Sequence, residues 1–138
     1  MNDVDLTTLV ESKFQRSAYS AERYAANDTE RILEFFGTSL PTLFLAMRGL
    51  LRTHAIPGDH LPANEMIHDY GFELEHNPNF KPDYIPFYAI GNGDYLCLSR
   101  DAGAASPVLY VAHDDPNTVT LHSTFADYLT DTDWFLQS

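Results

Sequence analysis

Asp94, Asp101, His113, Asp114 and Asp115 crowd into a short stretch of the chain, with His122 close behind. Imidazole and carboxylate both coordinate divalent cations, and two carboxylates in unlike surroundings can divide acid and base roles. Neither chemistry has its usual spacing here. There is no His-Glu-x-x-His helix and no paired cysteine, and His54, His60, His68 and His76 are scattered. The residues predict no metal site, no cofactor and no catalytic group. Cys97 lies between Leu96 and Leu98 with no basic neighbour, as a structural thiol does. No Gly-x-Ser-x-Gly elbow occurs. Gly91-Asn92-Gly93 lacks the Gly-Lys-Ser/Thr end of a phosphate loop and reads as a turn.

The remaining chemistry is recognition. The chain has 138 residues, with 20 acidic and 8 basic side chains and a formal net charge of -12. Residues 70–138 hold ten acids against two bases, so the second half carries the stronger negative field. Such a field repels phosphate and attracts cationic surfaces, which excludes nucleic acid as a direct partner and points to a basic protein. Asp94, Asp101, Asp114 and Asp115 are expected on turns around a sheet, where binding residues concentrate. Turns also favour Asp with no partner at all. Among the aromatics, Tyr88, Tyr95 and Tyr110 are expected to be partly exposed. The expected partner-binding set is Asp94, Tyr95, Asp101, Tyr110, His113, Asp114 and Asp115.

The elements that must position these residues follow from periodicity. Leu6, Leu9, Val10 and Phe14 share one helical face, with Asp5 placed to cap its start. Asn27-Asp28-Thr29-Glu30 is a capping-box signal ahead of Ile32, Leu33, Phe35 and Phe36. Gly37 can stop that helix, and Leu40-Pro41 opens another whose apolar stripe is Leu43, Phe44, Met47, Leu50 and Leu51. After a proline-broken stretch with a short helix over residues 64–70, Ile85–Ile90 and Tyr95–Leu98 read as a hairpin across Asn92-Gly93. Val108–Ala112 and Val119–His122 are two further strands. Ser123 or Thr124 caps a last helix that buries Phe125, Tyr128 and Leu129, and Trp134 and Phe135 fold back over the core. Helices, then consecutive short strands, then a helix make an α+β fold: N-terminal helices, a twisted antiparallel sheet of about four to six strands, and a C-terminal helix, in one domain over 1–138. With 9 Phe, 8 Tyr and 1 Trp, the chain is too aromatic for disorder. A lone cysteine, an acidic start and no apolar run of membrane length place it in the cytoplasm, away from membranes.

The run Ile85-Pro86-Phe87-Tyr88-Ala89-Ile90-Gly91-Asn92-Gly93-Asp94-Tyr95, the segment Pro107-Val108-Leu109-Tyr110 closing on His113-Asp114, and Ser123-Thr124-Phe125 occur in an order that resembles the SUKH superfamily. Glu30–Phe36 with Leu40-Pro41 is similar to that family's opening helix. The resemblance implies a mixed fold without catalysis. It also implies a bacterial immunity protein that binds and neutralises a cognate toxin, with a nuclease's basic surface as the target of the carboxylates. A regulatory or scaffold module is the alternative, and a small metal-dependent hydrolase a third reading. The chain is expected to act as a monomer or weak dimer.

Overall fold

The computed structural model describes residues 1–131, so the expected return of Trp134 and Phe135 falls outside the described residues. Helix α1 spans Asp3–Lys13. Asn2 accepts from the Asp5 N–H at 2.8 Å, and the Asp5 carboxylate accepts from the Asn2 N–H at 3.1 Å. Asp5 is therefore the returning member of a capping box and Asn2 is the cap. A single turn, α2 (Ser20–Arg23), which the pattern does not announce, leads to α3 (Asp28–Phe36), closed by Gly37 at φ 64°. The capping box expected at Asn27–Glu30 does not form. Asn27 makes no side-chain cap, and Asp28 turns inward.

Helix α4 (Thr42–Thr53) follows Pro41 and buries the expected Leu43, Phe44, Met47, Leu50 and Leu51. In α3 the expected stripe holds for Ile32 and Phe36, but Phe35 is 46% exposed. Helix α5 (Ala63–His76) runs 14 residues, well beyond the short segment expected, because Gly71 does not end it. A mid-helix glycine costs only about 1 kcal/mol. Burial of Met66 and Tyr70 in the turns before it offsets that cost.

The sheet has four strands in the antiparallel order β1 (Tyr84–Gly91), β2 (Asp94–Ser99), β3 (Val108–Val111), β4 (Val119–His122). Asn92 at φ 48° and Gly93 at φ 91° make the two-residue turn that Asn-Gly predicts. The outer side of β1 is covered by residues 59–61, through Leu61 N–H to Phe87 O at 2.9 Å and Ala89 N–H to Asp59 O at 3.1 Å. Alternation puts Tyr95 and Cys97 on one side of β2, and Asp94, Leu96 and Leu98 on the other. The Tyr95 hydroxyl donates to Asp69 of α5, placing α5 on the first side. Helix α6 (Phe125–Asp131) lies across the second, where Phe125 and Tyr128 meet Phe87. The Asp127 N–H donates to Thr124 Oγ1, so of the two expected capping residues Thr124 takes the backbone bond. Cys97 is fully buried, and burial pushes its thiol well up, as a structural thiol requires. Buried side chains from Leu6 to Leu129 form one apolar cluster. This is the α+β architecture read from the pattern. Among the described residues, no helix is long and apolar enough to cross a membrane.

Candidate protein-binding surface

The tight hairpin sets Asp94 opposite Gly91 at the start of β2 and beside the end of β3. Gly93 suits the positive φ there, and a Cβ would stand 3.2 Å from the His113 ring, so the ring would have to shift. Asp94 is not an exposed turn carboxylate as expected. It is 8% exposed and accepts three bonds: from Tyr110 Oη–H at 2.5 Å, His113 N–H at 3.0 Å and His113 Nδ1 at 2.8 Å. An ionised carboxylate only accepts, so His113 carries its proton on Nδ1 and turns Nε2 outward. Burial pushes the Asp94 carboxyl up, but the bonds from Tyr110 and His113 outweigh it and hold the group below its usual range. The same contact raises the His113 imidazole, and pushes the Tyr110 hydroxyl up to about 12 with some help from burial.

This anchored group fixes the root of the β3–β4 loop, from which Asp114 and Asp115 project into solvent. Asp115 accepts from the Asn117 N–H at 2.8 Å, which tightens the loop locally. Of the seven residues expected to bind a partner, the structure gathers Asp94, Tyr110, His113 and Asp114 at one end of the sheet, with Asp115 next to them. Tyr95 lies on the opposite side of β2, bonded to Asp69 at 3.0 Å. Asp101 sits beyond the far end of β2, roughly 20 Å away at strand rise. Its N–H donates to Asp83 there, and it is no part of the group. Tyr88, expected to be partly exposed, is 3% exposed and packs edge-on against His60 with ring centroids 4.9 Å apart. A register shift between Pro86 and Tyr88 pairs Tyr88 with Leu96, itself buried.

Asp94, His113 and Asp114 can bring one ligand atom each to within 4.8 Å of the others. Both Asp94 oxygens and His113 Nδ1 are already bonded, so an ion would have to displace the contacts that fix the loop.

Sequence reading missed two features. The first is a buried ion pair. Asp28 and Arg48, each 1% exposed, meet through Nε–Oδ2 at 2.9 Å and Nη2–Oδ1 at 3.0 Å. Arg48 also donates to Leu61 O at 2.8 Å, and Asp28 accepts from Ala63 N–H at 2.8 Å, so the pair seats the first turn of α5. The signal was present, since Arg48 lies four residues after Phe44 and three before Leu51, on the apolar stripe. The second is the C-terminal half of α5, which brings Asp69, Phe72 and Glu73 beside the hairpin.

The family profile of SMI1 / KNR4 (SUKH-1) matches residues 24–131, most of the chain. No curated protein and no solved structure matches it.

Proposed function

The chain belongs to the SMI1 / KNR4 family (SUKH-1), and on that premise we propose that it is an immunity protein that binds and neutralises a cognate toxin. Membership supports a protein-binding role of the immunity or regulatory kind, in a family whose members generally lack catalysis. The finer reading rests on one observation: Asp94 pins Tyr110 and His113, and so holds Asp114 and Asp115 in a fixed, exposed pair. A preorganised carboxylate pair on a chain of net charge -12 suits the basic cleft with which a nuclease grips phosphate. Binding there blocks the toxin sterically and electrostatically, with no bond made or broken. In this reading residues 1–138 act as one unit, as a monomer or weak dimer in the cytoplasm.

The test is co-expression with the product of the neighbouring gene, followed by purification of the complex and measurement of cell survival. A stable complex and rescued growth are expected. Asp114→Lys with Asp115→Lys should slow association, with a loss that shrinks at high salt, while the circular dichroism spectrum stays unchanged. No complex and no rescue would end this reading.

A further inference from the structure

Three rings stand along the water-facing side of α5 at four-residue spacing: His68, Phe72 and His76. Their centroids are 6.3 Å apart for His68 and Phe72, and 4.4 Å for Phe72 and His76, and Phe72 is 51% exposed. One position further round the helix, Asp69 and Glu73 face the sheet. Asp69 accepts from Tyr95, while Glu73 is only 7% exposed. Burial, with the Asp69 charge added, raises the Glu73 carboxyl, and the Asn77 side chain opposes that rise. Phe72, Glu73, His76, Gly93 and His113 line a cleft of about 330 Å³ between α5 and the hairpin.

The charge around this cleft is one-sided. From Asp69 to His76, α5 carries three carboxylates and no Lys or Arg. The hairpin end and the β3–β4 loop add Asp94, Asp114 and Asp115, again with no Lys or Arg. Among the described residues, the ion pairs that Asp69, Asp94 and Glu75 make are to histidines. A half-exposed aromatic face next to a desolvated carboxylate is the combination that a guanidinium satisfies. Its plane stacks on the ring while its N–H groups bond the carboxylate, which a compact ammonium does less well.

We infer that this cleft receives one arginine side chain of a basic partner protein, its guanidinium on Glu73 and its flat face against Phe72. The inference rests on the toxin-binding reading and moves the centre of the contact from the loop carboxylates to α5. A buried stacked arginine has the properties of an interface anchor, and Asp114 and Asp115 then serve as a solvated rim that steers approach.

Arginine amide, citrulline amide and lysine amide, titrated separately into the isotope-labelled full chain and followed by NMR, give the direct test. Citrulline keeps the shape of arginine and removes its charge. Saturable shifts at Phe72, Gly93 and His113 are expected with arginine amide and absent with citrulline amide, with lysine amide weaker. Glu73→Gln, which keeps side-chain size, should weaken arginine amide by about tenfold. Phe72→Ala should weaken it too. Equal shifts from citrulline or lysine amide, or none from arginine amide, would overturn the inference. If the chain captures the toxin and Glu73→Gln captures it equally well, the cleft assignment falls while the immunity reading survives. If arginine amide fills the cleft and the toxin is not bound, the immunity reading falls instead.

Discussion

Replacing Asp28 by Ala should be among the most destabilising single changes in the chain, through what it strands. The carboxylate is 1% exposed and makes three bonds, two to Arg48 and one to Ala63 N–H. Its removal leaves a guanidinium, itself 1% exposed, enclosed by Tyr24 and Phe44 at 5.5 and 5.7 Å, still donating to Leu61 O but without its counter-ion. Breaking a buried pair on one side costs about 3–5 kcal/mol, because the surviving charge has neither water nor a counter-ion. Against a typical domain stability of about 5–15 kcal/mol, that is a large share. Asp28→Leu combined with Arg48→Met removes both charges and should be more stable than Asp28→Ala alone. Urea unfolding followed by circular dichroism measures all three proteins, with the slope checked for constancy. Hydrogen exchange at the first turn of α5 should rise in Asp28→Ala, because Ala63 N–H loses its acceptor. A loss below about 1 kcal/mol for Asp28→Ala, or a double variant no better than it, would refute the reasoning that the pair acts as a buried, mutually compensating unit.

His60 is held down to about 4, first by burial and then by the Arg48 charge. The unfolded chain therefore binds the extra proton between about 6.5 and 4, and stability should fall through that window by about 3 kcal/mol. His60→Phe should flatten this part of the profile in urea midpoints taken from pH 7 to 4, and an unchanged profile would show that His60 is not the cause. Asp94→Asn should return the His113 midpoint, read by NMR, toward the ordinary imidazole value. The depressed Asp94 carboxyl contributes stability above the ordinary carboxylate range, lost as pH falls through its lower folded value. The raised His113 contributes below the ordinary imidazole value, lost as pH rises through its folded value. Gly93→Ala should destabilise by about 1 kcal/mol or more, because φ is 91° and the new Cβ meets the His113 ring; equal thermal stability would contradict the close packing. Cys97 should react with a thiol reagent only after denaturation, and rapid labelling of the folded chain would show that β2 opens.

Local rules acted where neighbours in sequence were also neighbours in space. Asn92-Gly93 makes its turn, Gly37 stops α3, Thr124 caps α6, and the stripe from Leu43 to Leu51 is buried, because each needs only the backbone preference or apolar face of its own segment. Asp94 shows where that legibility ends. As one carboxylate on a turn it reads as exposed, yet Tyr110 and His113, brought alongside by β2–β3 pairing, convert it into an anchor. Asp28 was read as part of a helix start, and Arg48, twenty residues away, claimed it.

By itself, then, the sequence determined the fold class, the negative charge and the family pattern, all carried by composition and short-range periodicity. The tertiary structure decided which carboxylates remain free. That depends on partners distant along the chain, since a buried charge must find a bonded counterpart wherever the fold supplies one, and only those left over at the surface can meet another protein. It also carried α5 past Gly71 and placed Phe72 and Glu73 beside the hairpin, where packing against the sheet outweighed a local helix-breaking preference.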